Sequence, residues 1–200
     1  MSNTVLSLTK KYKRTLLKLK NSFYSFDDLN EPNLTINCIY KNDIIFIAKK
    51  LKEHSTIESL NMELSSIGVN GAKELAKALQ HKQSLKSLHL NFNNIQNKGT
   101  GFLAYLLATC NHIRVFEVAG NNISDDGAIQ LANKLHINST LRILKLNDNQ
   151  ITDYGVTALV DALKRHPAIK ELHISGNKLS QNGQAILNQL VQKNNSIQIF

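Results

Sequence analysis

IESLNMELSSIGVNG (57–71), LKSLHLNFNNIQNKG (85–99), IRVFEVAGNNISDDG (113–127), LRILKLNDNQITDYG (141–155) and IKELHISGNKLSQNG (169–183) are five copies of one pattern, each opening 28 residues after the last. A fixed period of this length marks a solenoid, in which each repeat buries its apolar face only against its neighbours. The fourth and sixth places alternate with polar ones, which is strand periodicity. Leu60 and Met62, Leu88 and Leu90, Phe116 and Val118, Leu144 and Leu146, and Leu172 and Ile174 therefore point inward. After Gly71, Gly99, Gly127, Gly155 and Gly183 the apolar spacing changes to three and four, the mark of a helix, and glycine there permits positive φ or close packing. Strands joined by helical crossovers pair in parallel, so the pattern predicts an α/β chain with an inner parallel sheet and outer helices.

The ninth place holds Asn93, Asn121, Asn149 and Asn177, with Ser65 once, and the asparagine amide can satisfy backbone groups where the chain leaves the strand. With these residues and the helix motif Gly71-Ala72-Lys73-Glu74-Leu75-Ala76-Lys77-Ala78-Leu79, the chain resembles the ribonuclease-inhibitor-like class of leucine-rich repeats over 57–196. That resemblance implies a horseshoe solenoid that works as a protein-recognition module, occluding or inhibiting a partner, with an enzyme among the partners the class suggests. The abundance of Lys, Asn and Ile is also similar to leucine-rich-repeat effectors of intracellular bacteria, which bind host proteins or other effectors. A second resemblance, to GTPase activators built on the same repeats, implies an asparagine and a basic residue assisting hydrolysis, and their site has no match here.

Stepping the 28-residue phase back gives a degenerate first repeat over 29–56, with Pro32 at the fourth place and Leu34 at the sixth; forward, 197–200 restarts the pattern as a short strand, an edge open to strand addition or dimerisation. One repeat domain over 29–200 is expected, preceded by 1–28. There Val5, Leu8, Tyr12, Leu16, Leu19 and Phe23 recur at helical spacing among Lys10, Lys11, Lys13, Arg14, Lys18 and Lys20. The expectation is a basic amphipathic cap helix covering the open core; the alternative is a helix that binds a membrane surface, a nucleic acid or a partner through residues 1–24, the one segment through which membrane contact is expected.

The net charge is +9 with histidine neutral. Basicity permits nucleic-acid contact, but there is no cluster of interleaved basic and aromatic residues, so nucleic acid is disfavoured. No apolar run is long enough to span a bilayer, and no secretory signal follows the lysine-rich start, so the expectation is cytoplasmic synthesis. Export into a host cell by a non-classical route remains compatible with that reading. Cys38 and Cys110 occupy different places of distant repeats and read as free thiols.

In a horseshoe the third, fifth, seventh and eighth places face outward on the concave side. They supply the candidate partner-binding residues: Asn61, His89, Glu117, Lys145 and His173 from the fifth place, Glu63, Asn91 and Asn147 from the seventh, and Leu64, Phe92 and Asp148 from the eighth. Leu64 and Phe92 are the candidate anchors, polar neighbours forming the rim, and tucking into the turn is their alternative. Glu31, Glu63, Glu117, Asp148 and Glu171 against Lys145 make this face acidic, which predicts a partner with a basic patch. Lys86, Arg114, Arg142 and Lys170 form a ladder of like charge at the second place, read as a solvated rim or, alternatively, an anion-binding strip.

An enzyme is not expected. His89 and His173 are three strands apart, about 14 Å, too far to share a metal ion. Cys110 lies near the helices carrying His81 and His136, but no orienting third group or oxyanion site accompanies that pair. The expectation for His54, His81, His136 and His166 is a partly protonated imidazole complementing a helix C-terminus. No phosphate-cradling glycine motif occurs, and no cofactor is expected.

Overall fold

The computed structural model describes residues 32–36, 43–53 and 56–200. The expected cap helix at 1–28, and with it Glu31, Cys38 and His54, lies outside the described residues. Among the described residues seven short strands alternate with six helices: β1 (Asn33–Thr35), α1 (Ile44–Glu53), β2 (Ser59–Asn61), α2 (Gly68–Leu79), β3 (Ser87–His89), α3 (Gln96–Thr109), β4 (Val115–Glu117), α4 (Asp125–Leu135), β5 (Ile143–Lys145), α5 (Asp153–Leu163), β6 (Glu171–His173), α6 (Gln181–Lys193) and β7 (Gln198–Ile199). The strands form one parallel sheet in sequence order. Helices pack on their sequence neighbours, α2 on α3 and α4 on α5 most extensively. The core is continuous between the two layers, and every inward residue of β2 to β6 is buried, from Leu60 to Ile174.

From β2 to β6 the register advances by 28 residues at each step, as Leu60↔Leu88 and Leu144↔Leu172 show. The ends depart from it. β1 pairs Leu34 with Leu60, a step of 26, so Leu34 takes the fourth place and Ile36 the sixth. This corrects the sequence phase, which put Pro32 and Leu34 inward and Ile36 outward; Ile36 is in fact buried. A two-residue shift keeps the strand parity, and it moves a proline with no N–H to donate out of the ladder. The Pro32 carbonyl instead accepts from the N–H groups of Glu58 and Ser59 at 2.7 and 2.8 Å. At the other end β7 pairs Leu172 with Ile199, a step of 27.

Two polar columns join the repeats. Asn121 shows the first: its Oδ1 accepts from the N–H groups of Asn93 and Ile95 one repeat earlier, while its Nδ2 donates to the carbonyls of Leu90 and Ala119. Asn93 and Asn149 do the same for their neighbours, and Ser65 donates to Ile36 and Glu63 in their place. The second column, at the ends of the helices, was not anticipated. Lys82 donates to the Lys52 carbonyl, the Cys110 thiol to Leu79 and Gln80, and Asn138 to Leu107, each reaching back to the preceding repeat. These contacts satisfy carbonyls that a helix C-terminus leaves open.

His166 belongs to this second column, and its role differs from the expected charged partner of a helix end. Its Nδ1 accepts from the N–H groups of Ala168 and Ile169 at 3.3 and 3.1 Å, which requires an unprotonated nitrogen. Burial holds its pKa below the ordinary imidazole value, opposed by the Asn138 backbone, and Nε2 is buried without a hydrogen-bond partner.

The glycines at the fifteenth place, Gly71, Gly99, Gly127, Gly155 and Gly183, act through space and not through φ. A Cβ on Gly155 would stand 2.8 Å from Ile151 Cγ2 and 3.1 Å from Asp125 Cα of the preceding repeat. Removing that atom lets consecutive helices approach closely enough to seal the core.

Candidate functional site: the concave strand face

The side chains leaving β2 to β6 on the side away from the helices share one face, and their ends meet a turn whose geometry repeats. The eighth place is left-handed in every described repeat that carries the regular pattern: Leu64, Phe92, Gly120, Asp148 and Gly176 have φ of 54°, 57°, 62°, 55° and 71°. Glycine adopts that conformation freely and Asp tolerates it, but a large side chain does so at a cost of roughly 1–2 kcal/mol. Leu64 and Phe92 accept that strain without burial in return, being 68% and 51% exposed. The ring of Phe92 lies over Gly120, where a Cβ would come within 2.2 Å of Cδ1. A glycine in the next repeat thus makes room for the ring on the surface.

Beside these residues a polar network crosses four repeats. Glu117 accepts from His89 Nδ1 at 2.9 Å and from Lys145 Nζ at 2.8 Å. Asn91 Nδ2 donates to Glu117 at 3.1 Å and to Glu63, while its Oδ1 accepts from the Ala119 N–H at 2.8 Å. Burial alone would raise the Glu117 pKa, but the donors from His89, Lys145 and Asn91 overrule it and hold the carboxyl at about 2. Glu117 and Asn91 are buried. They brace the face from within, beneath Glu63, His89 and Lys145, which are half-buried.

The remaining candidates are spread along the sheet. Asn61 Oδ1 accepts from the Glu63 N–H, and Asn147 donates to Ser175 Oγ at 2.7 Å. Asp148 is exposed, with Oδ1 above Gly176. His173 pairs with Glu171 at 3.0 Å and stacks on Phe200, ring centroids 4.5 Å apart. The acidity predicted for this face is therefore largely engaged: Glu117 is balanced by His89 and Lys145, Glu171 faces His173, and Glu63 is bound by Asn91.

The thiol of Cys110 points to backbone carbonyls and not to an imidazole, and burial pushes its pKa up, away from the thiolate. His81 Nε2 meets Gln80 Nε2 instead. Among the described residues no three His, Cys, Asp or Glu side chains converge as metal ligands.

Sequence reasoning missed the half-buried Val115 and Ile143, which pair across β4 and β5 on this face at the third place. Their signal was present: serine occupies that place in the two preceding repeats, at Ser59 and Ser87.

A family model described as Leucine Rich repeat matches residues 81–104, 109–132 and 138–160. The repeated strand and helix with their parallel sheet have the fold of a leucine-rich-repeat solenoid. No curated protein matches it. Among solved structures, "Leiomodin-1 Actin-Binding Site 2 (ABS2)" is similar at 15% identity with a TM-score of 0.47, over 86% of this chain and 90% of that one.

Proposed function

We propose that the solenoid is a non-enzymatic protein-recognition module that holds a partner protein across its concave strand face, with Leu64 and Phe92 as anchors. The observation that carries this reading is the backbone: two large apolar side chains stand exposed at a left-handed position, next to one another on adjacent repeats. Strain kept where folding gains little from it argues for a use outside folding. Apolar anchors within a polar surround concentrate interface energy, and the braced network of Asn91 and Glu117 keeps that surround rigid before binding. Strands about 5 Å apart give a face on the order of 25 Å wide, enough for a standard patch of about 800 Å² per partner. Occlusion of an enzyme or of another effector, in the setting of a bacterial effector, is the role the resemblance supplies.

The test compares the wild type with the Leu64→Gly/Phe92→Gly double variant. Glycine relieves the φ strain, so folding persists and a binding loss is readable. Proteins retained from source-cell and host-cell lysates by the wild type are expected to be absent with the double variant. Equal retention by both would overturn the reading.

A further inference from the structure

We infer that the rim carrying Arg114, Arg142 and Lys170 receives an acidic segment of the partner protein, a short stretch bearing several carboxylates and an aliphatic side chain. The inference rests on the concave-face reading and names the partner's chemistry, which is the reverse of the basic patch expected from the sequence.

The four second-place cations are joined through the backbone ladder, where the N–H of Arg114 donates to Lys86, that of Arg142 to Arg114 and that of Lys170 to Arg142, all at 2.7 to 2.8 Å. Their equivalence stops at the side chains. Lys86 is neutralised by Glu58 at 2.7 Å, whereas Arg114, Arg142 and Lys170 pair with no carboxylate among the described residues. All three are exposed. Their backbones lie on adjacent strands about 5 Å apart, and like charges carried side by side repel one another. Nothing in the described fold relieves that repulsion, and a row of carboxylates would. Arginine at two of the three places adds a planar fork that fits a carboxylate with two hydrogen bonds.

The same strands supply the apolar half. Val115 and Ile143 follow Arg114 and Arg142 directly and form a half-buried cross-strand pair on the face beside the cations. An anionic polymer lying across the face would meet Glu63 and Asp148 at the strand exits, while a short acidic segment confined to the strand-entry rim meets the cations and one carboxylate, Glu171, which His173 engages. That difference favours a protein segment over nucleic acid.

The probe is a fluorescein-labelled dodecapeptide of aspartate and glutamate with a central valine pair, titrated by anisotropy at low and physiological salt against the full chain. A labelled oligothymidylate of equal length is titrated in parallel. The Arg114→Ala/Arg142→Ala/Lys170→Ala variant should bind the peptide roughly tenfold more weakly. A charge-matched control, Lys98→Ala/Lys164→Ala/Lys178→Ala, should bind as the wild type does. Equal loss in both variants, no loss in the rim variant, or tighter binding of the oligonucleotide than of the peptide would overturn the inference. Failure of the concave-face reading shows separately, as retention of lysate partners by the Leu64→Gly/Phe92→Gly variant.

Discussion

At the scale of single residues, Leu64 and Phe92 set folding against function. Replacing Leu64 by glycine should leave the stability unchanged or raise it by about 1 kcal/mol, because positive φ is relieved and a mostly exposed side chain is lost. Phe92→Gly should fall within about 1 kcal/mol of the wild type, the relieved strain offset by loss of the ring's contact with Gly120. Chemical denaturation of the two variants checks both figures; a loss of several kcal/mol at either position would mean that the side chain serves the fold. Glu117 is the opposite case. Glu117→Gln removes the charge that His89 and Lys145 share, and a loss of about 1–3 kcal/mol is expected in the same assay. Its ordinary carboxyl pKa of 4.5 falls to about 2 in the fold, so its contribution is full above pH 4.5 and disappears as pH falls from there toward 2. The wild type should lose that increment over this window in acid titrations of unfolding, and the Gln variant should not.

At the scale of elements, the two polar columns explain how strands of three residues stay in register. Asn121 makes four hydrogen bonds in the middle of its column, and Asn121→Ala leaves buried N–H and C=O groups unpaired, a cost of about 2–4 kcal/mol. Asn177 is half-buried, and Asn177→Ala should cost about 1 kcal/mol; thermal denaturation of the pair checks the order. In the second column His166 is held neutral. Its folded pKa lies below 6.5 because of burial, so the unfolded chain takes up a proton first as pH falls. That stabilisation is complete above pH 6.5 and is lost as pH drops from 6.5 toward the folded value. Asn138 occupies the same place one repeat earlier and accepts from the N–H groups of Thr140 and Leu141. His166→Asn should therefore preserve the turn and flatten the dependence of the melting temperature on pH below 6.5.

At the scale of the whole molecule, the sheet carries two surfaces at opposite ends of its strands. The strand exits of β2 and β3 lead to the apolar Leu64 and Phe92, and the strand entries of β4 to β6 carry the cations that meet no carboxylate among the described residues. A partner spanning both would be gripped at opposite corners, and the two variant sets separate the corners. Salt should then weaken partner retention through the basic corner and leave the apolar contribution standing, which a wash series from low to high ionic strength measures directly. Much of this was legible beforehand. The inward column from Leu60 to Ile174, the asparagine column and the eleven candidates on the strand face followed from counting by 28. Counting failed at the ends, where β1 steps by 26 and β7 by 27, because pairing there is decided by which residues bury and which can donate, not by distance along the chain.

The sequence by itself determined the repeat, the direction of the side chains of β2 to β6 and the sheet with its helices, because a solenoid's contacts are between equivalent places one period apart and a period is a property of the string. Tertiary structure alone decided which charges remain free. Glu117 on the strand face and Arg114 on the strand-entry rim are both charged, yet one is consumed by His89 and Lys145 from the neighbouring strands and the other meets no carboxylate among the described residues. Charge pairing depends on a few ångströms between side chains of different repeats, and left-handed φ at Leu64 and Phe92 depends on a turn closed by the hydrogen bonds of the next repeat, at Asn91 and Ala119. Neither is written in the composition of a single repeat.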